Sequence, residues 1–78
     1  MGQPLGQHFL NNSAATRRMI EMLALTKGDT VIEVGPGKGA LTLSLAQACA
    51  STGATLIALE KDELLAQELE QKMKDNGY

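Results

Sequence analysis

Two glutamates and three glycines carry the chemistry legible in this chain. Glu33, Gly35, Gly37 and Gly39 lie within "VIEVGPGKGALT" (31–42), and Glu60 closes "LIALE". Alternate glycines after an apolar run make a tight turn that a ligand can approach closely, and a helix opening behind it presents free N–H groups. Such turns usually cradle phosphate. One phosphate class is excluded by spacing: a P-loop needs G-x-x-x-x-G-K-[ST], and after Gly35 the positions for glycine and lysine hold Ala40 and Leu41. The dinucleotide fingerprint G-x-G-x-x-G/A is met by Gly35, Gly37 and Ala40, with Glu60 about 20 residues on to take a ribose.

Glu33 argues for another ligand. Period-2 alternation puts Val31, Glu33 and Gly35 on a common side of a strand, so the carboxylate faces the turn. A pyrophosphate there would meet an uncompensated negative charge; a ligand carrying a cation would be attracted. S-adenosylmethionine has an ammonium, a sulfonium, a ribose diol and no phosphate. Glu60 is then a carboxylate able to accept hydrogen bonds from both ribose hydroxyls, as in other doubly wound folds. An NAD-type dinucleotide-binding module is the rival on the same residues. Plainer roles are also open: Glu33 pairing with Lys38 or capping an amide, Glu60 solvated at a helix start, and His8 an ordinary surface histidine.

These residues need elements to hold them. Residues 1–12 contain Gly2, Pro4 and Gly6 and read as an extended arm with one apolar knot at Phe9-Leu10. Ala15, Met19, Met22 and Leu23 recur at helical spacing, predicting a helix over 13–25 with the methionines in the core. "TKGD" turns the chain. "TVIEV" (30–34) and "TLIAL" (55–59) are short, β-branched and, except for Glu33, apolar on both faces, as buried parallel strands are. Leu41, Leu45 and Cys49 predict a helix over 39–50, and Leu65, Leu69 and Met73 predict another from Glu63 to Lys74, with Gly77 as its C-terminal cap. Asp62 is placed to cap that last helix at its start. Strand, helix, strand implies parallel strands joined by a right-handed crossover. Two such strands make a poor sheet alone, so the chain reads as the first part of a larger α/β domain.

Composition narrows the setting. The chain has 78 residues, a net charge of −2 and scattered lysines and arginines, so it shows no basic face of the kind nucleic-acid-binding domains carry. Any RNA-docking surface is expected elsewhere. A lone cysteine, Cys49, expected to be buried and inert, and no signal-peptide pattern fit a cytoplasmic protein. No apolar run approaches the roughly 18 residues of a membrane span. One histidine and one cysteine make no metal site.

Taken together, "GQHFL" (6–10), "VIEVGPGKGALT" and "LIALEKD" resemble the ribosomal RNA adenine dimethyltransferase family over about residues 6–65. The glycine motif alone marks S-adenosylmethionine methyltransferases generally; its combination with the G-Q-[NH]-F-L arm is far more specific. The resemblance implies a Rossmann-like methyltransferase fold, S-adenosylmethionine as cofactor, and two methyl transfers to the exocyclic amine of target adenines. In one branch these are adjacent adenines of small-subunit rRNA, so the implied partners are rRNA and the small ribosomal subunit. A sister branch acting on large-subunit rRNA tends toward "GSGKGHFT", whereas this chain has Pro36, Ala40 and Leu41. The family's cofactor contacts carry over to His8 and Leu10 in the arm, Gly35 in the turn and Glu60 after the second strand. The arm would fold over the methionine end of the cofactor.

The family's catalytic motif, Asn-[Leu/Ile]-Pro-[Tyr/Phe], has no counterpart here, since the two prolines are Pro4 and Pro36. No residue is therefore assigned to catalysis, and the chain alone is expected to be inactive. The expected organisation is an arm (1–12) over the cofactor site and the first part of a methyltransferase domain (13–78). The expected cofactor contacts are His8, Leu10, Glu33, Gly35, Gly37, Gly39 and Glu60. A methyltransferase of another substrate class is the alternative. An exposed strand edge invites pairing with another copy, so self-association is expected too.

Overall fold

The computed structural model describes residues 13–78. The proposed arm, with His8 and Leu10, lies outside the described residues. The order is α1 (Ser13–Leu23), β1 (Thr30–Val34), α2 (Ala40–Thr52), β2 (Thr55–Leu59) and α3 (Glu63–Asp75). The strands pair in parallel, from Thr30 opposite Thr55 to Val34 opposite Leu59. The expected α/β pattern is the observed one, with both strands at the expected bounds.

The helices differ in detail, and each difference has a local cause. Helix α1 ends two residues early, because Ala24 takes a left-handed φ of 50°. Its amide donates to the Glu21 carbonyl at 3.0 Å, tightening the last turn. The predicted apolar stripe is also rotated. Thr16 is the buried residue of α1, with Ala15, Met19 and Ile20 half-buried, whereas Met22 is 78% exposed. The expectation that Met22 is core is therefore corrected. Among the described residues its main packing partner is α2, and the side facing that neighbour is the covered one.

Helix α2 starts and runs on a little later than its periodicity predicts. Gly53, at φ 85°, stops it, and the amides of Gly53 and Ala54 both donate to the Cys49 carbonyl. Thr42, Leu45, Ala46 and Cys49 form its buried stripe, the i, i+3, i+4, i+7 pattern of a helix lying on a sheet. Asp62 caps α3 as expected, its Oδ1 accepting from the amides of Leu64 at 3.0 Å and Leu65 at 3.1 Å. At the far end Asn76 is the cap residue, and Gly77 follows it in the left-handed region. The Gly77 amide donates to Lys74 and the Tyr78 amide to Met73, a Schellman closure.

The buried apolar residues are Leu45, Ala46 and Cys49 of α2 and Leu69 of α3, with α2 packed on β2. The other side of the sheet is bare. Ile32, Val34, Ile57 and Leu59 are between 43% and 79% exposed among the described residues. Strands patterned for burial on both faces are here covered on one.

Candidate functional site

The glycine turn joins β1 to α2, and all three glycines adopt left-handed φ values: 68° at Gly35, 58° at Gly37 and 82° at Gly39. Side chains resist that conformation by roughly 1–2 kcal/mol. Their surroundings differ, however. A Cβ on Gly35 or Gly37 would meet nothing within 4 Å, so the backbone there is open to approach. A Cβ on Gly39 would run into the Leu69 side chain of α3. Gly39 thus lets the Leu69 tip lie close against the turn, while a Cβ on Gly35 or Gly37 would meet none of the described residues.

Hydrogen bonds fix the shape of the turn from two directions. The Gly35 amide donates to the Leu59 carbonyl at 2.8 Å, carrying the strand ladder one residue into the turn. The Gly39 amide donates to the carbonyl of buried Pro36 at 3.0 Å. From the end of β2, Glu60 Oε1 accepts from the Gly37 amide at 3.1 Å, and Oε2 accepts from the Asp62 amide at 3.1 Å. Lys72 of α3 donates from Nζ to the Lys38 carbonyl at 2.9 Å. Among the described residues no side chain caps the start of α2, whose N-cap is Gly39.

Glu33 is half-buried on the helix-covered side of β1. Its Oε1 accepts from the Thr42 hydroxyl at 2.5 Å, inside the range of charge-assisted O–H···O⁻ bonds. The suggested pairing with Lys38 does not occur, since the ion pair among the described residues is Lys74 with Glu70 on the surface of α3. Among the described residues neither Glu33 nor Glu60 is in an ion pair.

Of the site residues expected from sequence, five surround one turn: Glu33, Gly35, Gly37, Gly39 and Glu60. Sequence reasoning missed Thr42, Leu69 and Lys72. Each acts on the turn through a contact spanning 9 to 34 positions, for which local spacing carries no signal. Cys49 is buried as expected, and burial pushes its thiol above the ordinary value. Among the described residues no cluster of histidine, cysteine and acids could hold a metal, and no helix is long and apolar enough to cross a membrane.

Comparison with known proteins places this geometry in context. The family model for ribosomal RNA adenine dimethylase matches residues 2–77. Over 74 residues, 95% of the chain, it is 39% identical to ribosomal RNA small subunit methyltransferase A of Mycobacterium tuberculosis (strain ATCC 25177 / H37Ra), covering 22% of that protein. It is 47% identical over 57 residues to the protein of that name from Caulobacter vibrioides, matching 73% of this chain and 20% of the relative. With its counterpart from Phenylobacterium zucineum it shares 50% over 58 residues, matching 74% of this chain and 19% of the relative. The chain thus spans about a fifth of the length of the curated relatives it matches. No solved structure matches it. With the family's match running through the helix, the strand pair and the glycine turn between them, this chain belongs to the ribosomal RNA adenine dimethylase family and forms the N-terminal part of its Rossmann-like α/β fold.

Proposed function

We propose that the chain is the cofactor-binding part of an S-adenosylmethionine-dependent methyltransferase that dimethylates the exocyclic amine of adenines in small-subunit rRNA. The observation that carries this reading is the pair of carboxylates at the glycine turn, neither of which has an ion-pair partner among the described residues. A pyrophosphate at the turn would be repelled by Glu33, while Glu60 suits a ribose. A cationic ligand with a neutral ribose is suited to both.

The residues fit that group in detail. A carboxylate offers about four lone-pair sites, two per oxygen. Glu60 spends one on each oxygen, on Gly37 and on Asp62, and keeps one on each for the two hydroxyls of a ribose diol. Gly35 and Gly37 let the ligand lie against the backbone, since a Cβ at either would meet none of the described residues within 4 Å. Glu33 supplies negative charge for the methionine end. His8 and Leu10 of the arm are proposed to close over that end. When bound, S-adenosylmethionine supplies a methyl group on a sulfonium, ready for direct transfer to a nucleophilic amine. This chain's part is to orient the donor, and orientation contributes much of the rate in reactions of this kind. Nothing among its residues is assigned to the adenine, which must leave its stack to be reached.

An amide NMR titration of the 78-residue chain, with S-adenosylmethionine and separately with NAD, tests the cofactor reading. Shifts at Gly35, Gly37 and Glu60 with the first ligand alone are expected; equal shifts with NAD would overturn it. The rRNA part of the proposal is read in a protein carrying this chain at its relatives' full length. There, mass spectrometry should find dimethyladenine in small-subunit rRNA exposed to it, and unmodified adenine would count against that substrate.

A further inference from the structure

Hydroxyl-bearing residues inside a helix normally donate back to a carbonyl three or four positions earlier. Helix α2 shows this behaviour at its far end: Ser51 donates to the Ala48 carbonyl at 3.0 Å and Thr52 to the same carbonyl at 2.8 Å. Thr42, on the same helix, does not. Its own i−4 carbonyl belongs to Lys38, which accepts from Lys72 Nζ instead. The Thr42 hydroxyl crosses to β1 and donates to Glu33 Oε1. Thr42 is also the most thoroughly buried side chain among the described residues, at 1% exposure, so this donor is shielded from competing water. It is the one donor the described residues offer Glu33, and it holds one carboxylate oxygen while the other stays open.

We infer that Thr42 is a positioning residue for Glu33: it fixes the carboxylate in one orientation, so that its free oxygen meets the cationic end of the cofactor. The inference rests on the proposed reading of the site as one for S-adenosylmethionine. Thr42 touches no ligand itself. Its effect should therefore fall on ligands with a cationic methionine end and spare those that engage only Glu60.

The test compares Thr42→Val, which keeps the shape and removes the hydroxyl, with Thr42→Ser, which keeps the hydroxyl. Each variant and the wild-type chain are titrated with S-adenosylmethionine and with adenosine, which has the ribose but no cation. Three-bond Hα–Hβ couplings of Glu33 are measured in the free proteins. Thr42→Val should weaken S-adenosylmethionine about tenfold and leave adenosine nearly unchanged. Its Glu33 couplings should average, whereas Thr42→Ser keeps the wild-type couplings and affinity. Equal losses for both ligands, or Glu33 couplings in Thr42→Val as ordered as in wild type, would overturn the inference. If the wild-type chain binds neither ligand, the site reading fails as a property of this chain. The couplings then still judge whether Thr42 holds Glu33. Should Thr42→Val lose its dispersed amide spectrum, Glu33→Gln takes its place. That variant keeps an oxygen for Thr42 to bond, removes the charge, and should give the same split between the two ligands; equal losses would again overturn the inference.

Discussion

At the scale of single residues, the three glycines of the turn look equivalent in sequence and are not equivalent in space. Gly35→Ala adds a methyl into open surroundings, so its cost is the left-handed backbone alone, about 1–2 kcal/mol. Gly39→Ala adds the same strain and also pushes the Leu69 Cδ1 tip aside, for about 1 kcal/mol more, the low end of overpacking costs. Urea unfolding of the two variants should rank them in that order. Combining Gly39→Ala with Leu69→Ala should cost less than the sum of the two changes, because each removes part of the other's problem. Strict additivity would mean that α3 does not press on the turn. Spacing was enough to find the turn and its two glutamates, since strand alternation and motif spacing are local properties. The partners of those residues were not legible. That Thr42 reaches Glu33 and Leu69 fills the space beside Gly39 depends on how α2 and α3 are laid on the sheet, which no periodicity encodes.

At the scale of elements, ends decide more than interiors. The strands were read at their true limits because β-branched runs bounded by turn residues leave little choice. Helix α1 was read too long, since its sequence gives no warning that Ala24 turns left-handed. Its buried stripe was misjudged because Met22 fits a helical period but stays 78% exposed, the helix turning Thr16 inward instead. Helix α3 has a strong start, with Asp62 serving two amides. Asp62→Ala should destabilise the fold by about 1 kcal/mol, as loss of an N-cap does, read as a lower urea midpoint. The Asp62→Asn variant retains an acceptor oxygen and should recover most of it. If alanine and asparagine behave alike, the cap contributes nothing and α3 is held by packing alone.

At the scale of the whole molecule, the dominant fact is that the described residues cover the sheet on one side. Ile32, Val34, Ile57 and Leu59 form a contiguous apolar face with no charged residue in either strand on that side. Among the described residues the two-stranded sheet also has both outer edges unpaired. Apolar surface of this sort is removed from water by association. Sedimentation of the chain should give a mass that rises with concentration. Ile57→Lys, which places a charge in the middle of the face, should shift that equilibrium toward monomer without weakening the core packed by Leu45 and Leu69. A constant monomer mass at millimolar concentration would show that the face tolerates water. The other side of the molecule carries a different consequence. Helix α3 reaches the glycine turn through Leu69 beside Gly39, through Lys72 on the Lys38 carbonyl, and through the Glu60–Asp62 bond at its own root. The turn thus shares the fate of a helix that supplies none of the proposed ligand contacts. On warming, affinity should vanish at the temperature where α3 lifts from the sheet, while the paired strands still persist.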